Sequence, residues 1–538
     1  MKNNLSSYYL PTQMPMFAGS PGFPNISNAK KRLYFIAWLI IGTCAGVLAN
    51  FIPANTAAFA SFLHLNSMQS ALLVGIYFMF STWASLLLFK LRQHFGVQFF
   101  VKFVIFFLSI SVLMRIFLED SFANELVIRA IYGFVCTSLS VISIFYAGQF
   151  LPREKRMLML LLGLGLIQLG LPLDRLISSY LISDFDLTYI FILELVLSIL
   201  CIFMLKITSL PPSFMAYELH LKNLFTLIIF ALSCMCFTLA LSLINTIWWD
   251  NELVFKLFSL ALFFLALFIF LEFIKKEPMV NVKFLSKVDI VKIIILAACM
   301  RIFLAEQNIS TSGFFINTLS YSDYQLRFLY LYIFLGSLSG FIASYYTLKG
   351  FNRFSLLVFI SFLILSLASF LCANLNPYSK PSDVYLGQFL ISFAGIYFMT
   401  PLLIDGIIKA MARGVTYLVS FSCIFSFAQN IFGLLGSSFV NYFLIYKSKI
   451  ISSNIITNSS NFNQDYINKF ANANAYNEMF LIISVFSFLV FLFLFLEWLF
   501  FKLKKKNPNA RELQIIMQKV QKRVVEEQKL LGEKNEKI

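Results

Sequence analysis

The 538-residue chain has little charge, little histidine and no polar stretch long enough to form a sizeable soluble domain. Only 13% of it is Asp, Glu, Lys or Arg, about half the share typical of soluble proteins. The three histidines, His64, His94 and His220, all lie near breaks in the apolar sequence, which leaves a metal or haem centre without a ligand set. All eight cysteines fall inside apolar runs, and Cys234 and Cys236 stand one residue too close for a Cys-x-x-Cys site. No glycine-rich phosphate loop or nucleophile motif stands out, and no Ser/His/Asp, His/Glu or paired-Asp cluster lies within the apolar runs. These absences argue against an enzyme and against a bound cofactor. Acid is also scarce: 26 Asp and Glu oppose 42 Lys and Arg, for a net charge of +16. In a soluble chain that balance would point to nucleic acid. Here the bases sit beside the ends of apolar runs, where they set orientation and meet anionic lipid, so no nucleic-acid partner is expected.

What is present is a repeat. Between Leu33 and Phe501 a run of about twenty apolar residues followed by a short polar break recurs about fourteen times, each run matching a hydrocarbon core about 30 Å thick. The mean hydropathy is +0.81. The breaks alternate in charge. Lys30, Lys31 and Arg32 precede the first run, Lys90, Arg92 and Lys102 flank the break after the second, and Arg153, Lys155 and Arg156 follow the fourth. Lys275, Lys276, Lys283 and Lys287 follow the eighth. The breaks between these hold Glu119, Asp120 and Glu125, then Asp184 and Asp186, then Asp250 and Glu252. By the positive-inside rule both termini are cytoplasmic and the number of spans is even. The chain reads as an all-α polytopic protein whose first partner is the lipid bilayer. Lys30 to Arg32, the run behind them and Ala58-Phe59-Ala60 mimic a secretory leader. The charge begins about thirty residues in and the run is too long, which favours a retained helix.

The spans group as six, two and six. A cytoplasmic tail at 1–32 is polar and carries Pro11, Pro15 and Pro24; it precedes a six-helix bundle at 33–208. Residues 209–288 form an inserted two-helix hairpin and its basic link, residues 289–501 a second six-helix bundle, and residues 502–538 a cytoplasmic tail. Such a count suggests two related bundles with a hairpin between them. In the last tail, Leu513, Ile516, Met517 and Val520 have helical spacing, compatible with an amphipathic helix or a solvated segment. Lys447 to Asn477, rich in Asn and Ser, is expected to be the longest external loop.

Several stretches resemble the fourteen-helix drug:proton antiporters of the major facilitator superfamily. Phe89-Lys90-Leu91-Arg92-Gln93-His94-Phe95-Gly96 stands where the superfamily has its Gly-x-Leu-Ala-Asp-Arg-Phe-Gly turn. Arg129 to Gly133 is similar to the span-four Arg-x-x-Gln-Gly, and Leu151 to Arg156 to the Pro-x-Glu-x-Arg loop behind it. Trp248 to Leu285, which takes in Glu277-Pro278-Met279-Val280, resembles the family's extra hairpin and link; Gln388 to Ile407 and Gln429 to Gly436 resemble spans twelve and thirteen. The resemblance implies a major facilitator fold in a bacterial inner membrane. It implies proton-coupled export of amphipathic or apolar small molecules by alternating access, with Arg92, Gln93 and Gly96 as a gating turn. A periplasmic adaptor and an outer-membrane channel are partners it also implies. The departures lie in the coupling motifs. Leu48-Ala49-Asn50 offers no acid in the first span, Gln93 replaces the acid of the turn, and the span-five signature is reduced to Gly163-x-Gly165 and Gly170 to Arg175. A transporter without proton coupling, an uptake system for an organic solute, or a non-transporting scaffold therefore stays open.

An ionised side chain at mid-bilayer costs about 2.5–3.5 kcal/mol or more, so each one needs a reason. Arg129 starts span four and matches the family's span-four arginine, either as a fixed cation beside a cavity or as a tie between helices. Asp174 and Arg175 lie deep in span five; adjacent residues point about 100° apart, so they do not face one cavity together. Asp174 is the leading titratable acid. Glu194 in span six is expected at a helix interface, and Asp405 lies near the end of span twelve. Arg301, Glu306, Gln307 and Asn308 make span nine unusually polar at the start of the second bundle, where they are expected either to line a central cavity or to tie helices, with Arg301 and Glu306 five apart and engaging separate partners. Arg115 and Glu119, four apart at a helix end, are expected to pair with each other. Gly336, Gly340, Gly433 and Gly436 are expected to let helices approach closely.

Overall fold

The structure is a computed structural model that describes residues 13, 15, 19–152, 158–182, 186–213, 215, 221–275, 278–307, 311–348, 354–411, 413–458 and 464–503. The expected tail helix, the bases at 153–156, His220, Asp184, Lys276, Glu277, Asn308, Lys349 and Arg353 lie outside the described residues.

The first helix, α1 (Asn28–Phe62), opens at Ser27, whose hydroxyl accepts from the Lys30 amide. It kinks at Asn55, two residues after Pro53 removes a backbone donor and crowds the preceding turn. The next, α2 (Ser67–Phe117), starts on a reciprocal cap in which Asn66 accepts from the Gln69 amide (2.8 Å) and Gln69 accepts from the Asn66 amide (3.0 Å). Drawn straight, its 51 residues would reach about 76 Å, far beyond one hydrocarbon core. The helix breaks at Gly96, with φ 81° and ψ 166°. Only glycine adopts that conformation freely, and a Cβ there would also lie 3.2 Å from the Ser213 hydroxyl. The second and third spans thus meet at one residue.

The helix α3 (Phe122–Phe150) follows, and then the expected fifth span appears as two pieces, α4 (Leu158–Gln168) and α5 (Gly170–Leu181). The break falls where Gly170 packs against Gly46 of α1 so closely that any side chain would overlap its backbone. Beyond it run α6 (Thr188–Ile207), the hairpin α7 (Leu221–Ile247) and α8 (Glu252–Ile274), and the short α9 (Val282–Leu285). The expected ninth span is interrupted. Its helix, α10 (Val288–Glu306), gives way to wider π-helical turns through Phe314–Thr318. The rest comprises α11 (Arg327–Thr347), α12 (Phe354–Cys372), α13 (Tyr385–Met411), α14 (Val415–Asn458) and α15 (Gln464–Leu503).

Eleven of these, among the described residues, are apolar and long enough to cross a membrane. Counting α2 as two spans at Gly96, and adding the charged α10 and the shorter α12, recovers the fourteen expected. Two expectations are corrected. Residues 447–458 and 464–477 are helix and not loop: α14 runs to Asn458 and α15 begins at Gln464. There Ser448 and Ser452 turn their hydroxyls back onto carbonyls of the preceding turn, and Lys447 pairs with Glu478 of α15 at 2.7 Å. Nor is the whole N-terminal segment a free tail. Phe23 is 5% exposed, Gln149 donates to the Gly22 carbonyl (3.0 Å), and the Gly22 amide donates to the Pro212 carbonyl (3.3 Å). Gly19, at φ 78°, rests on the backbone of Arg92 and Gln93.

Three apolar cores organise the chain. One joins α1 to α6, a second joins α10 to α15, and a third holds α7 and α8 against α2 and α14. Within the hairpin α7 is the buried partner, while α8 exposes Phe255, Phe263, Phe270 and Phe273 in the manner of a lipid-facing helix. Gly336 and Gly340 of α11 lie on the α13 backbone at Phe389 and Phe393, and Gly436 on α10 at Ile302; Gly433 faces open space, so it does not serve close packing.

Candidate substrate cavity

Four buried charges of the first half, on Arg115, Glu125, Arg129 and Glu194, neutralise one another. Arg129 is 2% exposed. It is bonded one turn back to Glu125 and across to Glu194 of α6 at 3.0 Å. Arg115, near the end of α2, reaches Glu125 at 2.8 Å, Glu194 at 3.0 Å and Asp120 at 3.2 Å. The expected Arg115–Glu119 pair is corrected: the guanidinium turns inward because two buried carboxylates compensate it better than one at the helix end. Glu125, read from sequence as part of an external loop, is buried in the first turn of α3. The four-residue spacing of Glu125 and Arg129 was the available signal. Arg129 therefore ties α3 to α6 and is not among the residues lining the central cavity.

Asp174 also lies off the cavity. It is 0% exposed between α5 and its neighbours, and neither carboxylate oxygen has a hydrogen-bond partner. One turn on, the Ser178 hydroxyl accepts from the Asn55 amide at 2.9 Å, where α1 kinks. Arg175 points elsewhere, donating to the Gln307 carbonyl at 3.4 Å. That carbonyl lies where α10 gives way, so the break offers a backbone acceptor to a cation from the other half. Glu306 is fully buried and does not line the cavity. Asp405 pairs one turn on with Lys409 at 2.7 Å.

Between the halves is a cavity of about 490 Å³. The first half contributes Asn50, Arg92 and Gln168, and the second Arg301, Gln307 and Gln429. Arg92 is buried with its guanidinium 4.8 Å from the rings of Phe89 and Phe145. Gln93 is buried beneath the N-terminal segment and Gly96 makes the break behind it, so neither lines the space. Gln307 donates to Ser392 (2.8 Å) and to the Gln388 side chain (3.0 Å). Arg301 donates through Nε to Oε1 of Gln429. Beyond Pro172 the halves touch directly, through Arg175 and Gln307 and through the rings of Tyr180 and Tyr324, 6.2 Å apart. Sequence reasoning missed Asn50, Gln168 and Asn430 as lining residues, because single amides in apolar runs carry no spacing signal. It also missed Glu272, buried at the end of α8, which accepts from the Val280 amide (2.9 Å) and pairs with Lys275 (2.6 Å) to hold the link.

No family model matches the chain, and no curated protein matches it. Several solved structures do. The nucleoside transporter NupG aligns over 86% of this chain and 100% of its own, with a TM-score of 0.51 at 13% identity. Tetrameric PepTSo2 covers 88% and 99%, at 0.54 and 12%. An auto-inhibited POT family peptide transporter covers 86% and 96%, at 0.53 and 12%. At such identity the likeness is one of architecture: the chain is an all-α polytopic membrane protein with the major facilitator fold.

Proposed function

We propose that this chain is a secondary transporter that carries a small amphipathic organic molecule across a membrane by alternating access. The observation that carries this reading is the 490 Å³ cavity at the junction of two helix bundles, walled by both and closed at one end by contacts between them. That volume suits a small organic ligand, and its lining mixes rings with amides and hydroxyls. The closing layer is weak enough to exchange. The hydrogen bond from Arg175 to a carbonyl and the ring contact between Tyr180 and Tyr324 can break as the halves rock, while the ionic network inside the first half keeps that half together.

Asp174 is the proton-binding carboxylate in this reading. Its protonation changes the packing of α5 on the kink of α1 at Asn55, and α1 also lines the cavity at Asn50. Export is the direction favoured by the resemblance to the fourteen-helix antiporters. Uptake of an organic solute is the second reading, favoured by the absence of any Asp or Glu from the described lining residues. Reconstituted protein should exchange a labelled amphipathic solute between vesicle lumen and medium. Asp174→Asn keeps shape and removes titration, so it should still exchange solute yet fail to accumulate it under an imposed pH gradient. Absence of flux across a broad solute panel would overturn transport; accumulation equal to the parent's would make Asp174 structural and turn the search to Glu306.

A further inference from the structure

Resting on that transport reading, we propose that the cavity takes an organic anion, an aromatic or apolar body bearing a carboxylate or phosphate, and that Arg301 is the residue that binds its charge. Arg301 lines the cavity from α10. Among the described residues its side-chain hydrogen bond goes to Gln429, a neutral amide. No carboxylate among the described residues lies within ion-pair reach of it, in contrast to Arg115 and Arg129. A cation held inside a bilayer without a countercharge is costly, and the cost is relieved when a ligand brings the countercharge.

Two further observations agree. Because Gln429 presents Oε1 to the guanidinium, its Nε2 is left as a buried donor, and it has no acceptor. A carboxylate or phosphate oxygen between Arg301 and Gln429 would satisfy both donors at once. The lining also holds no acid among its described residues but does hold a second base, Arg92, so a cationic solute would meet only like charge. The body of the anion is recognised by rings: Tyr77, Phe78, Phe398, Phe421 and Phe425 face the same space.

The test uses purified full-length protein in detergent and a matched series on one aromatic body: naphthoate, naphthyl phosphate, naphthamide and naphthylmethylammonium. Binding is read by calorimetry and by ligand-induced shift in unfolding temperature. At least one of the two anions should bind about tenfold or more tightly than both the amide and the ammonium compound. The tighter of the two names the headgroup. Arg301→Gln should lose about ten- to a hundredfold in anion affinity, in line with a charge-assisted bond, and Arg301→Lys should recover part of it. An amide or ammonium compound that binds as well as both anions in the parent protein would overturn the proposal, and that comparison needs no variant to fold. So would a folded Arg301→Gln that binds the anion like the parent. Flux is measured separately in vesicles. Arg301-dependent anion binding without flux would remove the transport reading and leave the site, whereas flux of neutral or cationic solutes that ignores Arg301 would leave transport and remove the site.

Discussion

In the first half of the molecule, two arginines and two glutamates are buried together and share their charge among α2, α3 and α6. In the second half, Arg301 borders open space with an amide for company. Both arrangements place guanidinium groups in apolar helices at similar intrinsic cost. What separates them is where the compensation comes from: the fold supplies it in one case and leaves it to be supplied in the other. A charge whose partners are all internal is a cross-link. One without internal compensation, at the wall of a cavity, is a binding group.

The sharpest way to break this contrast is to remove Glu194, which both Arg115 and Arg129 contact. Glu194→Gln should destabilise the folded protein by about 3 kcal/mol, because it leaves two buried guanidinium groups to share the one buried carboxylate of Glu125, and thermal unfolding in detergent should report it. Arg301→Gln, by comparison, should leave unfolding within about 1 kcal/mol of the parent or raise it, since it removes an uncompensated charge. Equal losses from the two would mean that Arg301 is held by the fold after all. A smaller effect is expected at the junction of the second and third spans. Gly96→Ala forces a side chain into a glycine conformation and should cost about 1–3 kcal/mol by the same measurement. No loss there would show that the break can adopt another backbone.

Arg175 sharpens the comparison from the side of motion. Its hydrogen bond to the Gln307 carbonyl joins the halves, so Arg175→Met should weaken that junction. It should shift the balance toward opening at the Tyr180 end by about tenfold, the equivalent of about 1.4 kcal/mol. Faster reaction of a cysteine placed at Tyr324 with an impermeant thiol reagent would report that shift; an unchanged rate would place the closing contact elsewhere. The smallest effect concerns Asp186, outside the spans. The amide and hydroxyl of Thr188 donate to it and hold its carboxyl below the usual carboxylate range. A depressed folded pKa stabilises at neutral pH and loses that contribution as pH falls through it. Asp186→Ala should therefore lower the unfolding temperature slightly at pH 7 and leave it unchanged in strong acid.

Hydropathy and the alternation of basic and acidic breaks were enough to place the helices, because each span must cover a fixed thickness with its backbone bonds closed internally. Thus α6 falls inside the bundle read from the sequence at 33–208 and α8 inside the hairpin segment at 209–288, and Arg129, Asp174, Arg175, Arg301 and Glu306 were recognisable as costly where they stand. Helix breaks were less legible. The split of the fifth span at Gly170 needs the backbone of Gly46 beside it, and the extension of α14 past its apolar run leaves no hydropathy signal. Least legible was which buried charge faces what. In helices apolar on all sides, the face toward lipid and the face toward protein look alike, so no periodicity orients Arg129 toward Glu194 or Arg301 toward a cavity. Sequence by itself determined how many apolar helices there are, their order and that Arg129, Asp174, Arg175, Arg301 and Glu306 stand within them. Only the tertiary structure decided that Arg115 and Arg129 share their carboxylates, that Asp174 sits away from the cavity and that Arg301 borders it, because those outcomes depend on contacts between segments from 65 to 128 residues apart.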